Sequence, residues 1–329
     1  MTLATGVGSL PGTDIEEAVR LVVGELPEFV HLPELPERGP AASITGRALG
    51  VVADLAADLQ PAGWRLTGPG GSTGMDQRRA RSLLGQDLDQ LEEQLQDYRG
   101  PLKVQVCGPW TLAATVERPR GDKVLADHGA RRDLAQALAE GLRTHLADVR
   151  RRVPGADRLV VQVDEPALAA VLGARVPTAS GFGRHRAVDR PELSQHLEWV
   201  LAAAAEHGEP WVHSCAADVP LDVVRGAGAR GLSVDLGVLA PAAHDVLAEA
   251  LEAGETVALG VVPSLDPGTP PTDRAVTDRV LLWLDQLGLD PDVVGERLVV
   301  TPTCGLAGAS PGWVRHALTL ARDVAAHLS

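Results

Sequence analysis

The chain has 329 residues, of which 45% are hydrophobic, and its 44 acidic against 30 basic side chains give a formal net charge of −14. That length admits two domains or one large α/β barrel, and the apolar share is ample for a core. The negative charge argues against non-specific nucleic-acid binding and against an anionic membrane surface. No apolar run approaches a membrane span, and the N-terminal residues lack the basic head and long apolar stretch of a signal peptide. Three cysteines, at 107, 215 and 304, cannot all pair within one chain and are too few for a disulfide framework. They point to a reducing cytoplasm and to thiol or metal chemistry.

In chain order the pattern is strand then helix, repeated. A short apolar run at 3–8 ends in Gly-Ser-Leu-Pro, and a helix at 15–23 follows Asp14, a fitting N-cap. The second strand is expected at 29–32. A long excursion comes next, predicted as helices at 44–59 and 76–98 around the loop Gly68-Pro-Gly-Gly-Ser-Thr-Gly74. That loop resembles a phosphate cradle but lacks the Gly-Lys-Ser/Thr ending of a P-loop, which favours a plain loop.

The third strand, 102–107, is bounded by Gly108-Pro109, and Leu134, Leu138, Leu142 and Val149 mark one face of a helix. The fourth strand, 159–163, is continuously apolar, as suits a strand covered on both faces. A Gly/Arg/Pro-rich loop at 173–191 leads to a helix at 193–206. Strand five ends at His213, strand six spans 232–236, strand seven 257–262 and strand eight 298–301. A final helix is expected at 313–328. Eight strands alternating with helices, with no composition break or linker, predict one (β/α)8 TIM barrel over 1–329, carrying a long helical excursion after strand two. A doubly wound open sheet is the rival, but no Gly-x-Gly-x-x-Gly follows strand one.

In such a barrel the chemistry lies at the C-terminal ends of the strands. Ser9 follows strand one, Glu34 and Glu37 follow strand two, and Cys107 ends strand three. Asp164-Glu165-Pro166 ends strand four, His213 and Cys215 end strand five, Asp235 ends strand six and Cys304 follows strand eight. His213 and Cys215, two residues apart on an extended strand, point to the same side. With Cys304 and Asp235 they make a set that zinc's tetrahedral preference accepts. Their spread along the chain favours a catalytic metal assembled by the fold, since structural zinc takes tightly spaced pairs. Cys107 is expected to be a small core residue. The bland readings are a buried His beside an inert Cys, a turn or N-cap role for Ser9, and helix capping by Asp164 and Glu165.

Five stretches in one order, Thr5-Gly-Val-Gly-Ser-Leu-Pro11, Cys107-Gly-Pro-Trp-Thr-Leu112, Gln162-Val-Asp-Glu-Pro-Ala-Leu168, His213-Ser-Cys215 and Thr301-Pro-Thr-Cys-Gly-Leu306, resemble the catalytic domain of cobalamin-independent methionine synthase. The resemblance implies a (β/α)8 barrel whose single catalytic Zn²⁺ binds the thiol of homocysteine. Carried over residue by residue, it makes His213, Cys215 and Cys304 zinc ligands, with Asp235 where the family has Glu. It gives the substrate carboxylate to Ser9 and the ammonium to Asp164 and a Glu after strand two, Glu34 in preference to Glu37. No catalytic residue is implied beyond the zinc-bound substrate thiolate.

Two departures bear on the methyl donor. Folate-using members carry an additional N-terminal half and a His in the loop after strand seven; here Gly260-Val-Val-Pro-Ser-Leu-Asp266 has no His. A methylcorrinoid, free or on a corrinoid protein, is therefore at least as well supported as methyl-tetrahydrofolate. The expected activity is methyl transfer to homocysteine or a similar thiol. The rivals are a metal-free lyase resembling uroporphyrinogen decarboxylase and a non-catalytic barrel that binds zinc or a thiol.

Overall fold

The computed structural model of the protein describes residues 1–68 and 73–329. The glycine-rich loop expected at 68–74 thus lies largely outside the described residues. Strand β1 (Leu3–Ala4) leads to helix α1 (Ile15–Glu25), with Asp14 accepting from the Glu17 N–H at 3.1 Å as its N-cap. After β2 (Val30–His31) come α2 (Ile44–Val51), the hairpin β3 (Ala57–Gln60) and β4 (Gly63–Leu66), and α3 (Met75–Gln94). The chain continues through β5 (Gly100–Cys107), α4 (Pro109–Thr115), α5 (His128–Arg152), β6 (Ala156–Asp164), α6 (Leu168–Leu172) and α7 (Arg190–Ala205). It then runs through β7 (Glu209–Ser214), α8 (Leu221–Gly226), β8 (Gly231–Asp235), α9 (Pro241–Glu252) and β9 (Thr256–Val262). Helices α10 (Asp273–Leu287) and α11 (Pro291–Val294), strand β10 (Leu298–Pro302) and helix α12 (Pro311–His327) complete it.

Eight strands form one parallel sheet in the order β1-β10-β9-β8-β7-β6-β5-β2. The sheet curls until its outer strands meet above their regular portions, where Ser9 and Glu34 form a parallel bridge. The Leu10 N–H donates to the Glu34 carbonyl at 2.8 Å and the Glu34 N–H to the Gly8 carbonyl at 3.1 Å. This is the α/β, barrel-like architecture that the strand–helix alternation predicts. No helix among the described residues is long and apolar enough to cross a membrane.

The helix predicted at 44–59 is a correction. Helix α2 stops at Val51; the Ala53 N–H turns away to the Ala137 carbonyl at 3.0 Å, and Asp54 takes a positive φ of 54°. Residues 57–60 pair antiparallel with 63–66. Leu55 and Leu59, four apart, mimic a helical face, but the Pro61-Ala62-Gly63 turn, with Gly63 at φ 126°, folds the segment into a hairpin.

Two apolar regions sit on either side of the sheet. The larger lies between strands and helices, and a smaller plug of Phe29, Val160, Trp211, Ala258 and Val299 fills the lower interior. Phe29 and Trp211 meet edge to face there, centroids 5.9 Å apart. Two residues farther along those strands stand His31, Gln162, His213, Gly260 and Thr301. Side chains alternate along a strand, so these positions face inward like the plug. The interior is apolar below and polar above, and the polar end carries the site.

Candidate active site

His213, next to the last residue of β7, lies beside Asp164 on β6 and Ser233 on β8. Its Nδ1 lies 2.9 Å from Ser233 Oγ. With that nitrogen engaged, Nε2 is left facing Cys304 Sγ at 3.9 Å. Cys215 Sγ and Cys304 Sγ are 2.8 Å apart, and one donor atom from each of the three residues lies within 4.8 Å of the others. The neighbouring Cys304 thiol and His213 hold the Cys215 thiol down at about 4, whereas Cys304, beside a negative sulfur and partly buried, is pushed up. Two negative sulfurs this close would repel each other, and a cation between them would relieve that repulsion. One imidazole nitrogen and two sulfurs converging in this way suit Zn²⁺.

Cys304 owes its position to irregular backbone. The β9–β10 register shifts between Thr301 and Pro302, after which the Thr303 N–H donates to the Val262 carbonyl at 2.8 Å. Gly260 lets this turn press against the end of β8: a Cβ there would sit 2.8 Å from Thr303 Cα and 2.6 Å from the Val234 carbonyl. One residue past Cys304, a Cβ on Gly305 would overlap Ser9 Oγ, and the Leu306 N–H donates to the Ser9 carbonyl at 2.7 Å. The first and last strand–helix loops are thereby stitched together over the sulfur pair.

A cavity of about 280 Å³ opens at this point, and its wall includes Ser9, Glu34, Asp164, His213, Cys215 and Cys304. Six of the seven residues expected at the site therefore share one cavity. Asp164 and Glu34 are almost wholly buried, 6% exposed each. Burial pushes the Asp164 carboxyl up to about 7, with His213 and Lys103 pulling the other way. Gln162 Nε2 donates to Asp164 Oδ1 at 2.7 Å. Glu34 Oε1 accepts from Arg47 Nε at 3.1 Å, while Glu37 stands exposed in a 3-10 turn.

These residues lie within, or in sequence alongside, a region that matches a known family. The family described as cobalamin-independent synthase, catalytic domain, matches residues 91–327. The chain belongs to that family. No curated protein matches this catalytic domain. Among solved structures it resembles a B12-independent methionine synthase from Shewanella sp. W3-18-1 in complex with selenomethionine, at 14% identity and TM-score 0.62, over 100% of this chain and 98% of that one. A weaker likeness is to D-psicose 3-epimerase with D-tagatose from Clostridium cellulolyticum H10, at 11% identity and TM-score 0.39, over 75% and 84% of the two chains. The synthase likeness is one of fold.

In this cobalamin-independent synthase catalytic domain Asp235 stands apart from the three donors. It ends β8, outside the set within 4.8 Å, and its Oδ1 accepts the Gly237 N–H at 2.9 Å. Burial raises its carboxyl, as does the charge of Cys215. Cys107 is 1% exposed, with burial pushing its thiol up, and its sulfur faces the Gly108 carbonyl at 3.8 Å. Glu165 is fully buried and serves the frame: it accepts from the Trp110 N–H at 2.9 Å and from the Thr111 N–H at 2.8 Å and Oγ1 at 2.6 Å. Sequence reasoning missed Ser233, Gln162 and Arg47, which bond His213, Asp164 and Glu34, and Lys103, which bonds the Val7 carbonyl behind the cavity wall. A visible signal existed for two of them, since Lys103 and Gln162 interrupt otherwise apolar strands.

Proposed function

We propose that this catalytic domain is a zinc-dependent methyltransferase that passes a methyl group to the thiol of homocysteine, giving methionine. On this reading residues 1–329 form one (β/α)8 barrel, and its free cysteines suit a reducing cytoplasm. The observation that carries the proposal is the shared cavity: a nitrogen–sulfur–sulfur donor set lies against a hydroxyl and two carboxylates. A thiol-bearing amino acid has the complementary groups, a sulfur at one end and an ammonium and carboxylate at the other.

His213, Cys215 and Cys304 would hold the ion. When bound, Zn²⁺ supplies the charge that keeps a substrate thiol deprotonated at neutral pH. Ser233 fixes the His213 ring so that Nε2 faces the sulfurs. Ser9 Oγ offers a hydrogen bond to the substrate carboxylate, and Asp164 and Glu34 face its ammonium. Three protein donors leave a fourth position for substrate, as catalytic zinc sites do. Asp235, which the resemblance makes a further ligand, stands outside the three-donor set.

For the donor, a methylcorrinoid is favoured over methyl-tetrahydrofolate. A departing folate nitrogen calls for a proton, whereas a corrinoid leaves without one. In the loop after β9 the ionisable side chain is Asp266, and it is taken up by the start of α12, accepting from the Ser310 N–H at 2.8 Å and Oγ at 2.5 Å.

Zinc per chain, measured after purification under reducing conditions, tests the reading. About one ion is expected in the wild type, with loss or strong weakening in Cys304→Ser. No zinc after reconstitution overturns it. Methionine formation from methylcobalamin and from methyl-tetrahydrofolate then separates the donors; turnover with folate alone overturns the corrinoid preference.

A further inference from the structure

Lys103 is one of two lysines in the chain, and it is fully buried in the interior of the sheet, level with His31. It makes no ion pair among the described residues. Its ammonium donates to the Val7 carbonyl at 2.7 Å and to Gln105 Oε1 at 3.2 Å. A buried ammonium without a carboxylate partner is costly, so an apolar side chain would serve stability better there. What the charge contacts therefore bears on why it is present.

The Val7 carbonyl is shared. Gln162 Nε2 also donates to it, at 2.9 Å, and its other hydrogen goes to Asp164 Oδ1 at 2.7 Å. Val7 lines the substrate cavity and lies two residues before Ser9. Gln105, Lys103's second acceptor, packs at 3.0 Å from where a Gly8 Cβ would be and donates from Nε2 to the Leu32 carbonyl at 2.6 Å, two residues before Glu34. One ammonium thus sits at the root of three segments, those ending in Ser9, Glu34 and Asp164. Burial pulls Lys103 down to about 8, while the carboxylates of Asp164 and Glu34 favour its charged form.

We infer that Lys103 is a positioning residue for the ammonium of the substrate, holding Asp164 in register through the Val7 carbonyl and Gln162, and Glu34 through Gln105. The inference rests on the methyltransferase reading for the identity of the ligand. It adds a residue that touches neither the sulfur donors nor the cavity directly.

The test compares two thiols on the zinc-loaded protein by titration calorimetry: homocysteine, and 4-mercaptobutyrate, which lacks only the ammonium. The wild type is expected to prefer homocysteine by about tenfold or more, the worth of one charge-assisted hydrogen bond. In Lys103→Met that preference collapses toward unity while zinc content and 4-mercaptobutyrate binding stay near wild type. A role confined to stability would weaken both thiols alike or neither, and either result overturns the inference. Gln162→Leu, which cuts the same link, is expected to erase the preference too. If Lys103→Met does not fold, an unchanged preference in Gln162→Leu overturns the inference. A wild type that binds both thiols equally overturns it while leaving the zinc–thiol reading intact. A zinc-loaded wild type that binds neither thiol overturns that reading, and the inference with it.

Discussion

Gly305 is the tightest point of the site, because its missing side chain is where Ser9 Oγ lies. Gly305→Ala must push Ser9 or the Cys304 turn aside. The cost of such overpacking is about 1–3 kcal/mol. Affinity for homocysteine is expected to fall by about tenfold or more, since one charged hydrogen bond to the carboxylate is misaligned. Thermal melting and calorimetric titration of the variant check the two effects, and unchanged homocysteine binding would remove Ser9 from the substrate wall. Sequence reading located this neighbourhood because His213, Cys215, Cys304, Ser9, Glu34 and Asp164 all fall just at or after strand ends. It did not locate Ser233, whose meaning comes from His213, the residue opposite it on the next strand. That pairing depends on register, which local pattern does not encode.

Among the elements, the excursion between β2 and β5 has the most to do with the site that sequence did not reveal. Glu34 is held by Arg47 of α2, and Arg47 Nη1 reaches Asp87 of α3 at 2.5 Å. Arg38 grips the same Asp87 carboxylate with two bonds, of 2.7 and 2.8 Å. All four side chains are largely or wholly buried, so each charge relies on its partners. Arg47→Met leaves Glu34 buried and unpaired and is expected to destabilise the protein by about 3 kcal/mol. Urea unfolding reads that loss. A near-neutral result would mean that water reaches Glu34 through the cavity. The sequence predicted helices here and found two, but it ran the first through 52–59. Leucine spacing over one turn does not distinguish a helix from a hairpin when the break comes from a positive φ at a non-glycine residue.

Over the whole molecule, acid sensitivity follows from groups buried without charge. His196, 2% exposed, lies stacked between Trp110 and Trp199 at centroid distances of 5.0 and 4.9 Å. Burial lowers it to about 4. The unfolded chain binds this proton from about pH 6.5 downward and the folded one does not. Its neutral form therefore supports folding fully above that pH, and the support drains away as pH falls toward 4. Asp164 and Glu165, both pushed up to about 7 by burial, act with the opposite sign between pH 4 and 7, so the total slope is a balance. His196→Phe isolates one contribution: relative to it, the wild type should lose on the order of 2 kcal/mol between pH 7 and pH 4. Paired denaturant melts at the two pH values measure this, and parallel pH dependences would place the imidazole in contact with water.

The seam between the loops after β1 and β10 also fixes when the site can come into being. Cys215 and Cys304 are 89 residues apart, and the Ser9–Leu306 hydrogen bond joins segments farther apart still. During synthesis the chain emerges from its N-terminal side, and pairings this distant in sequence form late. Ser9 waits, without its wall, until the last strand has docked beside the first. The half-formed protein therefore presents His213 and Cys215 alone, a weak claim on a metal. On the proposed zinc reading, capture by the full set would mark completion of the fold, so starving a cell of the ion while this chain is being made would leave finished molecules with an empty cavity.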